Sequence, residues 1–109
     1  MAYDRELAAR VRSSLEGLDG VTERSMFGGL AFLVHGTMAV AASSTGGIMV
    51  RVDPAEADAL LELPGVAPMV MRGSPMTGWL TVAAGAVEDD RGLRAWVDRG
   101  VAVALAPKD

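Results

Sequence analysis

A chain of 109 residues with 50% hydrophobic and 22% charged side chains carries enough apolar material for one self-sufficient core, which excludes disorder. The lack of Cys excludes disulfides and thiolate metal sites, and the formal net charge of −4 argues against nonspecific binding to nucleic acid, since phosphate contacts need clustered Lys and Arg. Mean hydropathy is +0.28, yet no run approaches the roughly 18 to 20 apolar residues that span a bilayer. The charged start Asp4-Arg5-Glu6 has no apolar stretch behind it, so no signal peptide is expected. A single cytoplasmic domain over residues 1–109, without membrane attachment, is the expectation.

In chain order, residues 4–18 predict a helix with Asp4 as N-cap, Leu7, Val11, Leu15 and Leu18 as its apolar stripe, and a stop over residues 17–20. Residues 21–25 lead into a hairpin. Gly28-Gly29 predict a bulge or a point of close backbone approach. Residues 30–34 and 38–42 then read as two strands around His35-Gly36, a pair able to supply the positive φ angles of a type I′ turn. With that turn Val34 faces Thr37, Leu33 faces Met38, Phe32 faces Ala39 and Ala31 faces Val40. Leu30, Phe32 and Val34 then share one face with Thr37, Ala39 and Ala41, while Leu33, Met38 and Val40 share the other with Ala31 and Ala42.

A small-residue turn over 43–47 leads to an alternating strand over 48–52, in which Ile48, Val50 and Val52 oppose Met49 and Arg51. Asp53 caps a second helix, Pro54 takes its first position, and Glu56 is placed to close a capping box. Ala57, Leu60 and Leu61 supply its buried side, and Pro64-Gly65 stop it. Residues 69–72 and 79–83 read as two further strands, joined by Gly73-Ser74-Pro75 with a bend at Gly78. Asp89-Asp90 open a third helix with negative charge at its positive end. Its stripe is Leu93, Trp96, Val97, Val101 and Leu105. Gly92 and Gly100 each weaken that helix by about 1 kcal/mol relative to Ala, which a close approach of helix to sheet at Gly100 would justify. Residues 107–109 read as a frayed end. The order α-β-β-β-α-β-β-α predicts an α+β fold of two layers, an antiparallel sheet with helices packed on it. Because both hairpin faces are apolar, part of the sheet should remain uncovered, and a twofold homodimer through the sheet is expected.

Catalytic chemistry has little to work with. His35 is the only His and reads as a turn residue. Glu88, Asp89 and Asp90 read as capping and dipole complement rather than a cation site. Ser13, Ser14, Ser43, Ser44 and Ser74 fall in no nucleophile pattern, and the Gly28-Gly29 and Gly46-Gly47 pairs fall in no phosphate-binding motif. No catalytic, metal or cofactor residue is therefore assigned. Arg24 and Arg51, set beside or within apolar strands, read either as a solvated face or as anchors for a partner's carboxylate or phosphate. Met26, Met38, Met49, Met69, Met71 and Met76 fall in the sheet half, where Met fills cores or makes adaptable binding surfaces.

The runs Arg24-Ser25-Met26-Phe27-Gly28-Gly29-Leu30-Ala31-Phe32, Gly36-Thr37-Met38-Ala39, Met49-Val50-Arg51-Val52 and Pro75-Met76-Thr77-Gly78-Trp79 resemble the N-terminal domain of the TfoX/Sxy proteins. The resemblance extends from the first helix to the helix with Trp96-Val97. It implies a secretion-chaperone-like α+β fold, of a kind that often dimerises. It also implies a link to natural competence, where the founding members act as co-activators beside a cyclic-AMP receptor protein at promoters.

Two functions are open at this point. One is a non-enzymatic, regulatory interaction module, with Arg24, Met26, Phe27, Gly28, Gly29, Met38, Arg51 and Trp79 as partner-binding candidates and no direct, specific DNA binding. The other is a small-molecule-binding domain or enzyme with a pocket at the Phe27-Gly28-Gly29 bend near Trp79.

Overall fold

A computed structural model describes residues 3–26, 28–44, 46–71 and 73–106. Phe27, the strand end expected at Arg72 and residues 107–109, expected to fray, lie outside the described residues. Local signals start each helix. The Asp4 carboxylate accepts the Glu6 and Leu7 N–H groups at 2.9 and 3.2 Å and opens α1 (Arg5–Ser14). This helix ends four residues before its stripe does, where Leu15 N–H turns onto the Arg12 carbonyl at 3.1 Å and Gly17 takes a φ of +87°. Leu15 is nonetheless buried and Leu18 still packs on the core, so the apolar spacing reports burial beyond the helix itself.

The chain then runs through β1 (Val21–Met26), β2 (Gly29–Val34), β3 (Thr37–Ala42), β4 (Ile48–Arg51), α2 (Pro54–Leu60), β5 (Val66–Met71), β6 (Ser74–Val82), a single 3₁₀ turn (Ala84–Val87) and α3 (Asp90–Leu105). All six strands form one antiparallel sheet in the order β1-β2-β3-β4-β6-β5. The predicted alternation of helices and strand groups holds. The lead-in over residues 21–25 is itself an edge strand; Thr22, Glu23, Arg24 and Ser25 are exposed, so it carries no apolar alternation and is held by backbone pairing to β2. Asp53 caps α2 through a 3.0 Å bond from Ala55 N–H, with Pro54 first in the helix. Only this half of the expected capping box forms; among the described residues Glu56 contributes its backbone N–H, to the Asp53 carbonyl at 2.8 Å. Asp89 caps α3 by accepting Gly92 N–H at 3.2 Å.

The hairpin turn is as predicted, with φ of +50° at His35 and +83° at Gly36, and the pairs Val34–Thr37 and Leu33–Met38 form. The register then shifts by one. Phe32 pairs with Val40, Ala31 with Ala41 and Leu30 with Ala42, leaving Ala39 as the extra residue of a β-bulge. The physical reason lies outside the hairpin: α3 crosses here so closely that a Cβ on Gly100 would land on the Ala39 carbonyl oxygen. The close approach expected at Gly100 is thus real, and it reassigns the faces. Leu30, Phe32, Val34, Val40 and Ala42 join Ile48, Val50, Leu80 and Val82 in a core completed by Val11 of α1, Leu60 of α2 and Leu93, Trp96 and Val97 of α3. Ala41 moves to the opposite face with Ala31 and Met38.

All three helices therefore contribute to a core on one side of the sheet. Two ion pairs fasten α1 beside its packing. Arg10 bonds the Asp90 carboxylate at 3.1 Å and the Glu88 carbonyl at 3.0 Å, so the acidic run serves the start of α3. Arg12 donates twice to Glu23 of β1, with Nη2–Oε1 at 2.9 Å, and its guanidinium lies 5.9 Å from the Phe32 ring centroid. The hydrogen bonds from Arg12 hold the Glu23 carboxyl below the usual carboxylate range; partial burial opposes them and the Arg12 charge adds to them.

Candidate functional site

The side of the sheet that faces away from the helices holds a cavity of about 290 Å³ whose walls come from every strand. Met26 comes from β1, Ala31 from β2, Met38 and Ala41 from β3, Met49 and Arg51 from β4, Met69 from β5, and Met76 and Trp79 from β6. Five inter-strand gaps of about 4.8 Å would hold the edge strands of a flat sheet about 24 Å apart. Side chains of both edges reach one small cavity, so the sheet is strongly coiled and this face is concave. The bulge in β3 and the irregular β5–β6 pairing, with Gly78 at a φ of +85°, are the local sources of that curvature.

The walls are apolar and deformable, five of them Met side chains with unbranched thioethers that fill irregular space. Ala31 and Ala41 are 1% and 2% exposed and form a closed floor. Arg51 is the only charged side chain in the lining among the described residues. Its guanidinium lies 4.9 Å from the Trp79 ring centroid, and its Nε donates to the Met38 carbonyl at 3.1 Å. Among the described residues these are the guanidinium's hydrogen bond and ring contact, and neither terminal amino group has an acceptor among them. Trp79 is itself buried beneath the guanidinium, so the stack fixes the plane of the charge.

Of the residues singled out in the sequence, the structure brings together Met26, Met38, Arg51 and Trp79. Arg24 pairs with Ala31 in the sheet and so sits on the same face, outside the cavity lining. Gly28 and Gly29 are not in the lining either. Gly28 has a φ of +77° in the β1–β2 turn, and a Cβ on Gly29 would strike the Ala42 carbonyl oxygen, so the pair serves the join between β1, β2 and β3. The expected pocket at the glycine bend is thus displaced to the Met–Trp79 face. Phe27 falls outside the described residues. Met49, Met69 and Met76 were legible as a methionine-rich sheet half; Ala31 and Ala41 left no signal, because small residues on a strand are ambiguous between floor and filler.

A larger groove of about 810 Å³ runs between the start of α2 and α3, where Arg99 stacks 4.7 Å from the Trp96 centroid. Asp53, Glu56 and Asp98 line it with Arg51 and Arg99, three carboxylates to two guanidinium groups, and the three carboxylates are solvent-exposed. Its size comes from its breadth, so the smaller concave cavity is the better site. Among the described residues no group of three or more His, Asp or Glu is placed to hold a metal, and no helix is long and apolar enough to cross a membrane.

The molecule is therefore an α+β domain with helices on one sheet face and a concave, methionine-lined opposite face. The chain belongs to the TfoX N-terminal domain family, whose family model matches residues 13–104. No curated protein and no solved structure matches it.

Proposed function

We propose that this chain is a non-enzymatic regulatory interaction module of the cytoplasm, related to the competence and transcription co-regulators that give the family its name. It acts through protein contacts made by the concave face. The observation that supports this is the placement of the helices. With every helix contributing to a core on one side, the other side is left with a concave apolar surface of half-buried Met side chains over buried Ala31, Ala41 and Trp79, and uncovered apolar sheet faces mark interfaces. Met side chains suit a surface that must re-pack against a partner.

A photo-crosslinking side chain placed at Met49 in living cells tests the reading. A discrete protein adduct at Met49, and none with the same group at exposed Glu62, is the expected result; equal labelling at both removes it. A second copy of the chain is one partner the domain can take, and sedimentation equilibrium at tens of micromolar decides that part, a strictly monomeric mass defeating the homodimer. The domain should not bind DNA in a sequence-specific way, given its charge of −4. A salt-sensitive, sequence-dependent mobility shift at sub-micromolar protein would overturn that statement.

A second reading, binding of a small molecule, is favoured by one observation: the concave face contains a half-open cavity with a fixed cation in its wall.

A further inference from the structure

We infer that the concave cavity is a binding site for a small apolar monocarboxylate, with Arg51 as its anchor. Three features select this chemistry. The first is charge. Arg51 stands in an otherwise uncharged lining, its Nε already engaged by the Met38 carbonyl at 3.1 Å and its face covered by Trp79 at 4.9 Å. What remains is the outer edge of the guanidinium, two terminal amino groups whose N–H bonds lie side by side in one plane. A carboxylate accepts from that edge with both oxygens at once. A phosphate ester would bring more charge and more acceptors than this one edge can satisfy, and the described lining supplies no second cation.

The second feature is pre-organisation. The stack on Trp79 and the bond to Met38 hold the guanidinium plane before any ligand arrives, so little side-chain freedom is lost on binding. The third is size and lining. A volume of about 290 Å³ holds about ten water-sized groups at about 30 Å³ each, at the small end of organic-ligand cavities. The rest of the wall offers thioethers, methyl groups and an indole, which solvate an alkyl or aryl body and leave a second polar group unpaired. An eight-carbon acid matches both limits. The assignment does not depend on the protein-contact reading, because the cavity lies within one chain and its occupancy is read on the isolated protein.

The experiment is a titration of the full chain, labelled with ¹³C at its methionine methyl groups, with octanoate, octanol and octylammonium. Octanoate should shift the methyl signals of Met38 and Met49 and bind at least fivefold more tightly than octanol, with octylammonium weaker than either. Arg51→Gln should bring octanoate to the affinity of octanol while octanol itself is unchanged. If that variant loses the dispersion of its methyl signals, the headgroup comparison on the native chain still decides. An octanoate preference under fivefold, tighter binding of octylammonium, or no shift at Met38 and Met49 up to 10 mM overturns the assignment. So does a face that ignores all three compounds and responds only to a peptide.

Discussion

Replacing Gly100 by Ala sets two effects against each other whose sizes can be compared. In a solvent-exposed helix the change would stabilise α3 by about 1 kcal/mol through helix propensity. Here the new methyl group would land on the Ala39 carbonyl oxygen and sit 3.1 Å from the Ala39 carbonyl carbon and 3.4 Å from Val50 Cγ1. The obstacle is backbone of a central strand, not the end of a flexible side chain, so relief requires α3 to lift from the sheet. Overpacking of this kind costs about 1 to 3 kcal/mol, and contact with fixed backbone belongs at the upper end. Subtracting the propensity gain leaves a net loss of about 2 kcal/mol, or about 8 °C in Tm for a chain of this length. Urea denaturation of Gly100→Ala beside Gly85→Ala reads it directly. A Cβ on Gly85 meets nothing within 4 Å, so that control should stay within about 0.5 kcal/mol of the native chain. A Gly100→Ala midpoint equal to or above the native one would show that the helix does not rest on the β3 bulge, and the account of the hairpin register would fall with it.

The same reasoning gives three further expectations. Gly29→Val should cost about 1 to 3 kcal/mol because its side chain meets the Ala42 carbonyl oxygen; an unchanged urea midpoint would show that β1 and β2 tolerate a wider join. Phe32→Ala removes a ring that is 0% exposed at the centre of the core and should cost about 3 to 5 kcal/mol by denaturant titration, a loss under 1 kcal/mol placing the core elsewhere. Glu23→Gln should be slightly less stable at neutral pH. Because the folded Glu23 carboxyl titrates below its unfolded value, its contribution is present above the unfolded pKa and fades as pH falls through the folded one. The two proteins should therefore converge in stability at acid pH, and a gap that widens there would contradict the Arg12–Glu23 pairing.

Wherever the physics is local, the residues themselves decide the structure. Asp4, Asp53 and Asp89 begin their helices because a short carboxylate satisfies the first free N–H groups, and nothing distant is needed. His35-Gly36 fix the hairpin because a two-residue turn demands positive φ at both positions. The methionines advertise an adaptable surface, and Arg51 stands out by its charge within an apolar strand. Distant contacts decide the remainder. β1 is invisible to periodicity because an edge strand with exposed faces is defined by the hydrogen bonds of its neighbour. The bulge at Ala39 follows from the pressure of α3 at Gly100, 61 positions further along the chain, and alternation along one strand holds no trace of it. The floor of Ala31 and Ala41, and the closure of Met26 and Met69 from opposite edges over one cavity, exist only once the sheet has coiled. A period of two tells which residues share a face; the curvature of the sheet tells which of them meet.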